Sequence, residues 1–475
     1  MNKIDQDFSP KTKAFPHQIE AINYLLENKN AALFDEQGLG KTKIIIDALS
    51  AMMKNGEIDG ALVVAPLSLV YTWEQEVTKH SYLIPIVLKG SKREKRYNFL
   101  TGANFYMTNY EAIIFEFERI RRFCKSRRIA IILDEAARIK NPATRTAQAI
   151  FGLAPLARRR IIATGTPIAN KPIDLWALFY FLDQGELLGN KFDEFKKMYD
   201  EKDPEYIKNI TILRETILNN SMRRIKNEVL ELPEKIYKNI LIKLTGKQKE
   251  MYDQLRNELR LEIIDMSGQK IVDEANNILK RMLRLTQVAS DPGLVDDGFK
   301  EIPAKYPALL KIISKGFEQG EKIIVWTSFV GNILKLRRHL IRYNPLIIYG
   351  EIDIRERKTV VEKFQNDNNH WIIIANPSAA REGLTLTRAN TAIYFDRNFS
   401  LIDYLQSQDR IHRISQNKPC SIYKLVAEET IDVYVDKIIN WKTDVAQFIE
   451  GDSQSIDNES ILFNKEELIK MLGGH

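Results

Sequence analysis

Two groups of short, unbroken apolar runs, separated by a long stretch with few of them, constrain this chain more than any other feature. The first group is "AALF" (31–34), "ALVVAP" (61–66), "NFYMT" (104–108), "IAIIL" (129–133) and "RRIIAT" (159–164). The second is "KIIVWT" (322–327), "PLIIYG" (345–350), "WIIIAN" (371–376), "TAIYFD" (391–396) and "CSIYKLV" (420–426). Continuous apolarity, rather than alternation, means burial on both faces, the condition of a parallel strand covered by helices. Helix-length patterns lie between the runs, and this alternation predicts α/β domains with parallel sheets. Between the groups, "DLWALFYFLD", "KFDEFKKMY", "EYIKNITILRETIL", "GKQKEMYDQLRNELRLEIIDM" and "EANNILKRMLRLTQV" carry helical periodicity. The expected class is α/β. A parallel-sheet lobe over 1–172 is followed by a mostly helical insertion over 173–302 and a second parallel-sheet lobe over 303–445. A flexible link and terminal helix follow over 446–475, with "EGDSQSIDNES" (450–460) as the link.

After the first strand comes "DEQGLGKTK" (35–43), and then the helical "IIIDALSAMM". The order is strand, glycine turn, Gly-Lys-Thr, helix. The strict phosphate-loop pattern GxxxxGK[ST] fails at one position, because Asp35 replaces its first glycine. The physics survives that change. Gly38 and Gly40 let backbone N–H groups close on phosphate oxygens, and the next helix aims its positive end at them. Lys41 reaches the outer phosphates and the Thr42 hydroxyl suits Mg²⁺.

A second predicted strand runs into Asp134 and Glu135. The carboxyl ends of parallel strands line the ligand crevice. Asp134 is expected to hold the metal and Glu135 to orient or deprotonate the attacking water. In "YLQSQDRIHRISQ" (404–416), Gln406, Arg410 and Arg413 fall at i, i+4 and i+7, so on a helix they share one face. Guanidinium groups there suit a charged transition state. With one set of groups in each lobe, ATP is expected between the lobes, and its hydrolysis to drive their motion.

Bulk properties narrow the class further. The formal charge is +7, from 70 basic and 63 acidic residues. This permits a polyanionic partner without requiring one. "RIRRFCKSRR" (119–128) and "RRIKNE" (223–228) are the basic clusters open to nucleic acid. The two cysteines, Cys124 and Cys420, form no CxxC pair, which argues against a cysteine zinc site. No apolar run approaches the ~18 residues of a spanning helix. The N-terminus lacks a signal-peptide core, so a soluble, intracellular protein without membrane association is expected, cytoplasmic with a nuclear location left open.

The motifs together resemble the Swi/Snf-like ATPases, DNA translocases of helicase superfamily two, over about residues 14–440. "FPHQIEAINYL" is similar to the family's opening block, whose glutamine reads adenine, a role that falls to Gln18. "DEQGLGKT" resembles its phosphate loop, Asp-Glu included. "VVAPLSLVYTWEQE" (63–76) resembles the block that follows a nucleic-acid backbone, and "FYMTNYE" (105–111) the one after it. "DEAARIKN" resembles the family's acid box, with Ala137 where a histidine is usual. In the family that histidine usually helps couple the ATP and DNA sites, so the resemblance puts coupling, more than chemistry, in question. "ATGTPIAN" (163–170) is similar to the lobe-linking box. "MRRIKNEVLELPEK" (222–235) and "LRLTQVASDPGL" (283–294) resemble segments that set this family apart from RNA helicases. "AAREGLTLTRANTAIYFD" (379–396) and "QSQDRIHRISQ" resemble the last two boxes.

The resemblance implies two RecA-like lobes, ATP and Mg²⁺ as cofactors, and tracking along double-stranded DNA by a monomer. Gly383 and Gln406 join Gln18, Gly38, Gly40, Lys41 and Thr42 on the nucleotide. Ser68, Trp73, Lys140, Thr327 and Arg381 fall in or beside the DNA-facing motifs. Phosphate contacts would dominate, so binding is expected to be sequence-independent and salt-sensitive. Two other readings stay open: a strand-separating or annealing helicase acting on forks or RNA, and a nucleotide-gated DNA clamp with little turnover.

Overall fold

The computed structural model describes residues 8–200, 203–265, 274–379, 384–413, 415–456, 469–470 and 472. The chain divides into two compact units. The first holds the described residues up to Glu231 together with Asp444–Ile456, and the second those from Leu232 to Thr443 and the last described residues.

The first unit is built on a seven-stranded sheet in the order β3-β4-β2-β5-β6-β1-β7. Its strands are β1 (Asn30–Leu33), β2 (Gly60–Ala65), β3 (Pro85–Val87), β4 (Phe105–Asn109), β5 (Ile129–Asp134), β6 (Arg159–Ala163) and β7 (Ser221–Met222). Every pairing is parallel. On one face, Ala61, Val63 and Ala65 of β2 and Ala130 and Ile132 of β5 pack under three helices. These are α1 (Pro16–Glu27), α2 (Lys41–Lys54) and α3 (Leu67–His80). The intervening Leu62, Val64, Ile131 and Leu133 are buried too, so the sheet is covered on both faces.

The second unit carries a six-stranded parallel sheet in the order β10-β11-β9-β12-β13-β8. Its strands are β8 (Lys235–Ile242), β9 (Lys322–Trp326), β10 (Leu346–Ile348), β11 (Ile372–Ala375), β12 (Ala389–Tyr394) and β13 (Cys420–Ala427). Its core joins Ile323, Val325, Ile374 and Ile393 to Leu309, Ile313, Ile333 and Leu336 of covering helices.

The two-sheet α/β class therefore holds, and each of the ten apolar runs contains a strand. Three strands were not anticipated. β3 and β7 are too short to leave a pattern. β8 is an edge strand whose Lys238, Asn239 and Leu241 face solvent, which breaks its apolar run. β7 and β8 fall within the segment read as helical. That segment is shared between the units, divided after Glu231.

The expected flexible link is described only in part. Its described part, residues 450–456, is tethered in the first unit. Arg223 pairs with Glu450 at 2.6 Å and donates from Nε to Asp452 Oδ1 at 2.9 Å. Arg214 donates to the carbonyls of Phe448 and Ser453. The polar composition that suggested mobility supplies the anions that anchor the segment. Both cysteines are buried and are not joined in a disulfide. No described helix is long and apolar enough to cross a membrane.

Candidate active site

The phosphate loop leaves the carboxyl end of β1 and closes at Gly40, where α2 begins. Gly38 (φ +96°) and Gly40 (φ +82°) adopt left-handed backbone that favours glycine. A Cβ at Gly40 would strike the Gln18 side-chain amide. Gln18 Oε1 accepts the Phe15 N–H at 3.0 Å, and its Nε2 points to the Leu39 carbonyl at 3.4 Å. Gln18, from α1, thus lies against the loop. Lys41, the first residue of α2, donates from Nζ to the carbonyls of Asp35 (2.6 Å) and Glu36 (3.2 Å). Burial lowers its pKa, opposed by the charges of Glu135, Asp35 and Asp134. Thr42 follows on the same first turn.

The acids emerge at the carboxyl end of β5, two strands from β1 in the same parallel sheet. Asp134 Oδ2 accepts a 2.7 Å hydrogen bond from the Trp73 indole N–H, and Oδ1 accepts the Glu135 N–H at 3.0 Å. Burial raises the Asp134 pKa, opposed by the Trp73 bond and the Lys41 charge. Glu135 has φ +50°, a left-handed conformation that costs a non-glycine residue about 1–2 kcal/mol. The Gln37 side-chain amide donates to Glu135 Oε1 at 3.2 Å. Gly165, from the box after β6, lies so close that a Cβ there would meet Gln37 at 2.9 Å. The first unit thus brings together Gln18, Gly38, Gly40, Lys41, Thr42, Asp134 and Glu135.

Three residues from the "RRIK" segment complete the loop's surroundings. Arg223 Nη1 donates to the Phe34 carbonyl at 2.9 Å. Arg224 pairs with Asp35 inside the protein. The Lys226 backbone N–H donates to Glu36 Oε2 at 2.7 Å, and its ammonium lies 3.5 Å from Oε1. Arg224 and Lys226 are buried. This basic cluster therefore braces the loop and is not a nucleic-acid surface. The signal was present as complementary charge, Asp35-Glu36 against Arg224 and Lys226, but no local pattern paired the two segments.

In the second unit, the helix α4 (Leu401–Gln408) ends before either arginine. Gln406, Arg410 and Arg413 therefore do not share one helix face, as the spacing had predicted. The turns that follow use the arginines as caps. Arg410 Nε donates to the Gln406 carbonyl at 2.8 Å and Nη1 to the Leu384 carbonyl at 3.3 Å. Arg413 Nε donates to the Asp409 carbonyl at 2.9 Å and Nη1 to Thr385 Oγ1 at 2.7 Å. Both guanidiniums thus converge on residues 384–385. Burial lowers the Arg413 pKa, with Asp409 opposing. Gly383 and Arg381 lie outside the described residues.

The residues expected on nucleic acid fare unevenly. Trp73 is 1% exposed and Thr327 is 0% exposed, its hydroxyl donating to Asp396 Oδ2. Neither is a surface contact: Thr327 bonds the buried Asp396 carboxylate, and the Trp73 indole bonds the half-buried Asp134. The Ser68 hydroxyl is shielded, without a hydrogen-bond partner among the described residues. The Lys140 side chain is 34% exposed and its ammonium lies 4.0 Å from Asp174.

Among the described residues no cluster of three or more His, Cys, Asp or Glu could hold a metal unaided. Asp134 and Thr42 offer a carboxylate and a hydroxyl. This sparse set of hard oxygen donors fits Mg²⁺, which fills its shell with water and substrate phosphates.

Residues 17–294 match the SNF2-related domain, and residues 304–415 the helicase conserved C-terminal domain. The chain is 30% identical over 463 residues to an uncharacterized ATP-dependent helicase of Mycoplasma pneumoniae, covering 94% of this chain and 43% of that one. It is 29% identical over 466 residues to the putative ATP-dependent helicase/translocase YwqA of Bacillus subtilis, covering 93% and 49%. The chain spans about half the length of the curated relatives it matches. A solved structure, the Sulfolobus solfataricus SWI2/SNF2 ATPase core in complex with dsDNA, is similar at 27% identity, covering 95% of this chain and 96% of that one, with a TM-score of 0.45.

Proposed function

This chain belongs to the SNF2-related family, and we propose that it hydrolyses ATP to drive movement along double-stranded DNA. The hydrolytic part of this reading is carried by one observation: Lys41, Asp134 and Glu135 converge at the carboxyl end of a single parallel sheet, with Gln37 joining the phosphate loop to Glu135; the DNA part is supported by the family.

Phosphate oxygens would be received by the N–H groups of the loop and the positive end of α2. Lys41 would exchange the Asp35 and Glu36 carbonyls for the outer phosphates. Thr42 and Asp134 would hold Mg²⁺, which supplies charge neutralisation on the phosphates. Glu135, steered by Gln37, would orient the attacking water and take its proton. The charge of a loose phosphoryl-transfer transition state is assigned to Arg410 and Arg413. Gln18 is proposed to read the base, with Gly383 and Gln406 also on the nucleotide. Lys140 is retained as a phosphate-backbone contact, with binding dominated by such contacts.

The test is ATP turnover with and without duplex DNA, for the intact chain and for Glu135→Gln. Duplex should stimulate the intact chain. Glu135→Gln should keep ATP binding and lower turnover about 10²–10⁴-fold, the range of a lost general base. Absence of stimulation by any DNA would sink the translocase reading. Strand displacement on a fork would favour the helicase alternative.

A further inference from the structure

Trp73 has the size and burial of a core residue, yet its one polar atom is spent on an acid of the active site. The ring stacks on Phe105 with centroids 6.0 Å apart, and Nε1 lies 2.7 Å from Asp134 Oδ2. The other carboxylate oxygen is held by the Glu135 backbone N–H. Among the described residues, no other side chain donates a hydrogen bond to this carboxylate. One restraint on Asp134 is therefore local, and the other comes from α3, 61 residues earlier in the chain. A carboxylate with both oxygens held has a fixed rotation. Freed at Oδ2, it could turn.

We infer that Trp73 is a positioning residue for Asp134: through its indole N–H, α3 sets the orientation in which that carboxylate meets the magnesium–nucleotide complex. The inference rests on the proposal that Asp134 is the metal acid. Hydrogen-bond partners one layer out from a metal ligand orient it, and losing one costs about 10–100-fold in metal affinity or activity. Because α3 follows β2 directly, in the block whose family resemblance points to nucleic acid, a shift of this helix reaches the metal acid through one hydrogen bond.

The experiment is a titration of Mg²⁺ against binding of a fluorescent, non-hydrolysable ATP analogue to the full chain. Trp73→Phe keeps the ring and deletes the donor. Benzothienylalanine placed at position 73 keeps the indole's shape, also without the N–H, and covers the case in which phenylalanine packs poorly. Both should raise the half-saturating Mg²⁺ concentration about 10-fold or more. Binding should recover at high Mg²⁺ in both, and the benzothienylalanine variant, which leaves no cavity, should melt close to the parent chain. A general packing defect would not be rescued by Mg²⁺. Asp134→Asn separates the two claims. If it shifts the Mg²⁺ requirement and the two Trp73 replacements do not, the positioning role is overturned and the metal reading survives. If Asp134→Asn also leaves the requirement unchanged, both fall.

Discussion

Arg224 grips Asp35 with two nitrogens across 189 residues of sequence: Nε meets Oδ1 at 3.0 Å and Nη2 meets Oδ2. Asp35 is 0% exposed. The pair explains why the phosphate loop carries an acid where the strict pattern has glycine. Breaking a buried pair from one side leaves an uncompensated charge, worth about 3–5 kcal/mol. Arg224→Met should therefore lose stability of that order and weaken nucleotide binding, because the Asp35 carbonyl also accepts from Lys41. Asp35→Asn combined with Arg224→Met should recover much of the loss. Chemical denaturation in a double-mutant cycle reads the coupling directly.

Gly40 and Gly56 both have left-handed backbone, but only Gly40 faces a neighbour, the Gln18 amide. Gly56→Ala should cost about 1–2 kcal/mol of strain with nucleotide affinity unchanged. Gly40→Ala should carry the same strain and also push Gln18 away from the loop, lowering affinity about 10-fold, roughly 1.4 kcal/mol. Thermal melting and nucleotide titration on the two variants distinguish strain from displacement.

Arg410 and Arg413 should separate under mutation. Arg410 is 1% exposed and caps two carbonyls, so Arg410→Met should destabilise the second unit as well as slow turnover. Arg413→Ala should leave melting less affected and lower kcat about 10³-fold, the lower end of what a transition-state arginine supplies. Equal loss of stability in both variants, with no excess effect on kcat at Arg413, would make the pair structural.

Glu450 shares Arg223 with Asp452, and burial, opposed by Arg223, raises its pKa from 4.5 to about 7. The folded state therefore holds this proton more tightly than the unfolded chain. The stability it contributes is full below pH 4.5 and is lost as pH rises through about 7. The upper bound is about 3 kcal/mol. Glu450→Gln should remove this part of the pH dependence, so the stability difference between parent and variant should change between those pH values and be flat outside them. Urea denaturation across that range checks it.

Much of this was written locally. Ten apolar runs became strands because burial on both faces leaves a mark in each run by itself, and the order of strand, glycine turn, lysine and helix placed the phosphate loop without tertiary information. The same locality misled where it assumed continuity. A 3.6-residue spacing placed Gln406, Arg410 and Arg413 on one face, but the helix stops at Gln408 and the two arginines fold back onto carbonyls four residues earlier.

The sequence alone determined the two parallel-sheet units, the motif order and the family resemblance, because local sterics and burial periodicity are properties of short stretches. Only the tertiary structure decided that Arg224 neutralises Asp35, that Trp73 holds Asp134, that Gln37 reaches Glu135 and that Arg223 anchors Glu450. Those partners are set by which strands become neighbours. The order β5-β6-β1-β7 brings the acids, the phosphate loop and the "RRIK" segment side by side, and no short-range pattern encodes that order.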